Sequence, residues 1–80
     1  MTPRFELRDR LRKAREVKQL SRDELADLLG VHRNTVANYE TGRQSPTRAT
    51  VLAWAMVTDC PAEWLEHGDR RGRSLAHHAA

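Results

Sequence analysis

Several things are scarce in this chain. One cysteine, Cys60, stands alone among 80 residues, so an intramolecular disulfide and a Cys-based zinc site are both excluded. No apolar run approaches the roughly 18 residues of a membrane span, and nothing resembles a signal peptide, so a cytoplasmic location is expected. The three prolines and four glycines fall at segment ends. Strand-like alternation and hairpin signals are missing too, which leaves an all-helical class. At this length only about 60–65% of the unfolded surface is buried on folding, enough for one small domain without a deep cleft.

Catalytic equipment is also missing. There is no Ser/His/Asp spacing, no Gly-rich phosphate loop and no His/Cys/Asp/Glu cluster at metal-ligand spacing, so no enzyme, cofactor, metal or small-molecule ligand is expected. His77 and His78 lie in a segment without supporting residues. Cys60 precedes Pro61 at a helix break and is expected to be buried rather than nucleophilic.

What is present is charge, unevenly placed. The net charge is only +3. Residues 1–22 carry eight Lys/Arg against three acids, residues 23–69 three Arg against eight acids, and residues 70–80 three Arg and no acid. Basic groups at both ends suit contact with nucleic-acid phosphates. A solvated basic helix followed by a basic tail explains the same pattern.

Apolar positions mark five helices. Leu7, Leu11, Ala14 and Val17 form a stripe, with Phe5 ahead of it, and predict a first helix from about Pro3 or Phe5 to Lys18. Its other faces are Arg, Lys, Glu and Asp. Ser21 and Glu24 form a capping box that starts a second helix, which runs to Leu29 with Leu25, Leu28 and Leu29 inward and ends at Gly30. Val31 fills the gap to a third helix, about Arg33–Glu40, with Val36, Ala37 and Tyr39 inward and Thr41-Gly42 closing it. Thr47 is the N-cap of a fourth helix, Arg48–Thr58, with Val51, Leu52, Ala55 and Met56 as its apolar side. A short fifth helix spans about Ala62–Glu66, with Trp64 and Leu65. Gly68 ends the ordered domain (1–68), and residues 69–80 are expected to be a flexible basic tail.

The second and third helices carry a pattern of their own. Counted from Arg22, apolar residues stand at Leu25, Leu29, Val31, Val36 and Tyr39. A small residue, Ala26, stands where two helices cross and a glycine, Gly30, where they turn. Each of these seven positions serves two helices packed near right angles. With LRKAREVKQLSRDELADLLGVHRNTVANYETGR, Pro46, the leucine-bearing fourth helix and the closing AEWLEHG, the chain resembles the Cro/C1-type (XRE-like) helix-turn-helix family over roughly residues 7–68.

The resemblance implies a compact five-helix, lambda-repressor-like domain and a transcriptional repressor of the phage Cro or immunity type. Its third helix would read operator DNA in the major groove, as a homodimer at least on DNA, in the host bacterial cytoplasm if phage-encoded. Base reading would fall to Arg33, Asn34, Thr35 and Asn38, whose side chains match guanine, adenine and the thymine methyl. Phosphate positioning would fall to Arg22, His32, Arg43, Gln44 and Ser45. Arg22 replaces the Gln common in the family and reaches either a phosphate or a guanine. His32 replaces the usual Ser or Thr cap, is expected to cap poorly, and is either a phosphate donor or a loop histidine. The resemblance also implies that Arg15 pairs with Glu40, the alternative being two independent surface charges. Trp54, expected to be partly exposed, Trp64 and Leu65 are candidates for a dimer contact. The other functions weighed are the antitoxin of a toxin–antitoxin pair and a protein-interaction adaptor. The short basic tail speaks against the first and the polar outer face of helix 3 against the second.

Overall fold

The computed structural model describes residues 6–68. Within them the chain folds as α1 (Leu7–Val17), α2 (Arg22–Leu29), α3 (Arg33–Thr41), α4 (Arg48–Thr58) and α5 (Ala62–His67), with no strand. The all-α, five-helix expectation holds; four of the five starts lie within one residue of their predicted positions, and α1 starts at Leu7, two to four residues after the predicted one. Residues 1–5 and the tail 69–80, with His77 and His78, lie outside the described residues.

Local chemistry explains the boundaries. The Glu24 backbone N–H donates to Ser21 Oγ at 3.0 Å, and the Ser21 N–H donates to Glu24 Oε1 at 2.8 Å. This reciprocal box satisfies two donors that a helix start leaves open. Gly30 ends α2 at φ 73°, a left-handed conformation that an L side chain adopts only with strain. The Val31 N–H then returns to Ala26 O at 3.0 Å and closes the turn. Thr47 caps α4 by accepting the Thr50 N–H at 3.2 Å.

Helix α2 packs against α3, while α4 and α5 close the other side against α1. Leu11, Leu25, Val36, Trp54 and Leu65 are fully buried at the centre. Several side chains differ from expectation. In α4 the buried stripe is Val51, Trp54, Ala55 and Thr58, whereas Met56 is 80% exposed. Both stripes have helical spacing. The observed one wins because the Trp54 indole spans the core, donates from Nε1 to Leu11 O at 3.0 Å and meets the Tyr39 ring edge-on. Val17 and Leu28 are exposed, since each lies on the outer side of its helix, and Val31 is only partly covered in its turn. Leu20, just past α1, packs on the core where Val17 was expected to. Cys60 is half-buried rather than buried.

Arg10, one of the charges assigned to the polar face of α1, is buried. Its Nε donates to Leu65 O at 2.9 Å and its Nη2 to Glu66 O at 3.0 Å. A guanidinium therefore caps α5 from α1, where helix-end carbonyls have no backbone partner. Burial pulls this guanidinium below its ordinary pKa, with Asp9 acting in the opposite direction.

Replacing Trp54 with Phe removes both the volume of the second ring and the donor to Leu11 O. The change is expected to cost about 1–3 kcal/mol in urea unfolding. A loss near zero contradicts the placement of the indole.

Candidate nucleic-acid interface

The surface begins at the start of α3. His32 is its N-cap, with Nδ1 accepting the Asn34 N–H at 3.1 Å. The imidazole thus does cap, contrary to expectation, because its ring nitrogen reaches the same donor that a Ser or Thr oxygen would. An Nδ1 that accepts leaves the proton of the neutral ring on Nε2, so exposed His32 offers a donor outward.

Beyond the cap, Arg33 and Asn34 are exposed and Thr35 and Asn38 half-buried. The side-chain amides of Asn34 and Asn38 make no hydrogen bond among the described residues. Arg33 Nη1 lies 3.8 Å from Asp23 Oδ1, both side chains 65% exposed. An ion pair this long and this wet contributes little, so Arg33 is readily given up to another acceptor.

The loop after α3 continues the surface. Gly42 ends the helix at φ 82°, and the Gln44 N–H donates to Asn38 O at 3.2 Å. Arg43, Gln44 and Ser45 are exposed on this loop. Arg8 of α1 also reaches it, a neighbour that the sequence reading did not name. A Cβ at Gly42 would fall 2.8 Å from Arg8 Nη1. Arg8, Tyr39, Gln44 and Ser45 line a shallow cavity of about 170 Å³ there. No local signal marks Arg8, because its approach depends on how α1 crosses α3.

Beneath this surface lies Glu40, its carboxylate fully buried. Arg15 donates to it through two nitrogens, Nε to Oε2 at 2.7 Å and Nη2 to Oε1 at 3.0 Å, and through Nη1 to Leu20 O at 2.9 Å. The pairing of Arg15 with Glu40 is therefore present and nearly dry. The hydrogen bond to Glu40 raises the Arg15 pKa, against the effect of burial. A second guanidinium shares the carboxylate, with Arg22 Nε donating to Oε1 at 3.0 Å. This contact was not anticipated. The signal for it was Arg22 itself, since a Gln there adds no second cation.

With the geometry in place, residues 11–65 match the family model described as helix-turn-helix. The chain belongs to the helix-turn-helix family. It is similar to the restriction-modification controller protein C.AhdI from Aeromonas hydrophila, at 31% identity and a TM-score of 0.70, over 76% of this chain and 92% of that one. It is also similar in fold to the P22 c2 repressor protein, solved with a synthetic operator, at 22% identity and a TM-score of 0.72, over 79% of this chain and 96% of that one. No curated protein matches. The expected Cro/C1-type helix-turn-helix is thereby shown, and the chain is a DNA-binding transcriptional regulator. This family and these neighbours are not enzymes.

In this helix-turn-helix protein two candidate dimer residues are corrected. Trp54 and Leu65 are wholly buried within the domain and offer no surface to a second copy. Trp64 is half-buried against the core. Among the described residues, no group of His, Cys, Asp or Glu is placed to hold a metal, and no helix is long and apolar enough to cross a membrane.

The His32 cap is tested by substitution. Ala at position 32 is expected to lower stability by about 1 kcal/mol and Ser to retain it, both read in urea unfolding. Equal stability of the Ala and Ser variants contradicts the cap.

Proposed function

We propose that the protein is a sequence-specific repressor that reads operator DNA in the major groove with α3. The observation that carries this reading is the capped start of α3. Arg33, Asn34 and Asn38 are presented there with weak or no partners among the described residues, beside an exposed loop bearing Arg43, Gln44 and Ser45. Polar side chains at the surface without strong partners among the described residues are solvated, and they can exchange that water for the hydrogen-bonding groups of a ligand.

Arg33 would fork onto guanine O6 and N7, Asn34 would bond adenine N6 and N7, and the Thr35 methyl would touch thymine, with Asn38 one turn on. Arg22, the His32 Nε2–H, Arg43, Gln44 and Ser45 would hold phosphates and set the register. The unit would be residues 1–68, with 69–80 as a basic extension. A homodimer at least on DNA would place two copies of α3 one helical turn apart and block the promoter. The P22 c2 repressor, a neighbour in fold, was solved on operator DNA, which is consistent with this docking.

A second reading of the regulated locus has its own support. The higher identity, 31%, is to a restriction-modification controller protein rather than to the P22 c2 repressor at 22%. Control of a restriction–modification locus is therefore the rival to a phage operator, and the neighbouring genes separate the two.

The contact assignments are tested with a duplex selected from a random pool. Arg33→Ala is expected to cost about 1–3 kcal/mol and to relax preference at one base position. A loss equal on all sequences would restrict Arg33 to phosphate contact. Arg43→Ala is expected to weaken binding to every sequence alike and to lower the salt slope by about one. An unchanged slope removes Arg43 from the interface.

A further inference from the structure

The Arg15–Glu40–Arg22 cluster has more cationic groups than its structural role requires. Arg15 already engages both carboxylate oxygens of Glu40, at 2.7 and 3.0 Å, from a side chain only 13% exposed. That pair is neutral by itself. Arg22 adds a second cation, so the three residues together carry one net positive charge. Arg22 spends one nitrogen, Nε, on Glu40 Oε1. Its Nη1 and Nη2 make no hydrogen bond among the described residues, and its side chain is 43% exposed. One edge of the guanidinium is therefore held from inside the protein, and the other meets no acceptor among the described residues.

We propose that Arg22 bridges Glu40 and an operator phosphodiester, which makes buried Glu40 a positioning residue for DNA binding although it touches no DNA. The proposal rests on the DNA reading above. A guanidinium is suited to this task because its five donors lie in a rigid plane, so Nε can be anchored while both Nη groups clasp the two free phosphate oxygens. Lysine is not, because its ammonium is a point charge on a flexible stem and does not serve both partners at full strength. Glutamine keeps a donor but has no charge to release counterion.

Anchoring also removes rotamer freedom before DNA arrives, so less ordering remains at binding. It carries geometric information as well. Glu40 stands in the last turn of α3 and Arg22 is the first residue of α2. Their bond sets the phosphate contact in register with the helix that reads bases, so a shift of one moves the other.

The test is equilibrium binding of the wild-type protein, Arg22→Lys and Arg22→Gln to a duplex that the wild type selects from a random pool, across a salt series. Thermal unfolding is followed in parallel. Arg15 still neutralises Glu40 in both variants, so both are expected to fold. Arg22→Gln is expected to lose about tenfold in affinity and about one unit of salt slope, as loss of one charged phosphate contact demands. Arg22→Lys is expected to keep the slope yet lose severalfold in affinity, because it has the charge without the bridge. Wild-type affinity in Arg22→Lys overturns the bridging role of Glu40, and an unchanged slope in Arg22→Gln overturns the phosphate contact altogether. A wild type that selects no sequence and binds no DNA at low salt overturns the DNA reading itself, an outcome distinct from the other two.

Discussion

One buried carboxylate organises this domain. Glu40 lies near the end of α3 with its side chain out of water, and it receives guanidinium donors from α1 and from α2. Breaking a buried ion pair by removing one partner typically costs about 3–5 kcal/mol, because the remaining charge is left uncompensated. Three helices are thus fixed to one another by bonds with defined direction. The apolar contacts among Leu11, Leu25 and Val36 hold the same helices together and set their crossing angles only to within about 15–20°. A surface that reads DNA needs the angle, since its side chains must meet base edges to within fractions of an ångström.

The other side of the molecule is built the same way. Trp54 bonds back to α1 through its indole nitrogen, and Arg10 reaches from α1 to the Leu65 and Glu66 carbonyls of α5. Small domains have little core, and here directed polar contacts supply part of the definition that a larger core would supply by packing. In the proposed function the α4–α5 side anchors and the α2–α3 side would read DNA. Capping by His32 and the turn at Gly42 place polar groups without strong partners among the described residues at the two ends of α3.

Legibility from the residues follows the range of the interaction. Ser21 with Glu24, Gly30 and Thr47 act within a few residues of themselves, so the limits of α2 and α4 could be read directly. The pairing of Arg15 with Glu40 was reached through family resemblance, not spacing. What escaped depends on contacts between helices. Two stripes in α4 have equal spacing, and only the partner across the core, Leu11 O, decides for Trp54 over Met56. Arg10 looked like one more surface charge because its acceptors lie 55 and 56 residues away. The sharing of Glu40 by Arg22 and the approach of Arg8 to Gly42 are of the same kind. The His32 cap is hidden for another reason: an imidazole is a rare cap by residue type, yet its Nδ1 accepts where a Ser or Thr oxygen would.

In the proposed function DNA binds at the polar surface around the start of α3, which Glu40 holds in place. The most direct measurement is a titration of nitrogen-labelled protein with its selected duplex, following backbone amides and arginine Nε–H signals by NMR. The largest changes are expected on residues 32–38 and 42–45 and on the Arg22 Nε–H, with α5 little affected. Changes centred on α4 and α5, with residues 32–38 unmoved, would contradict it.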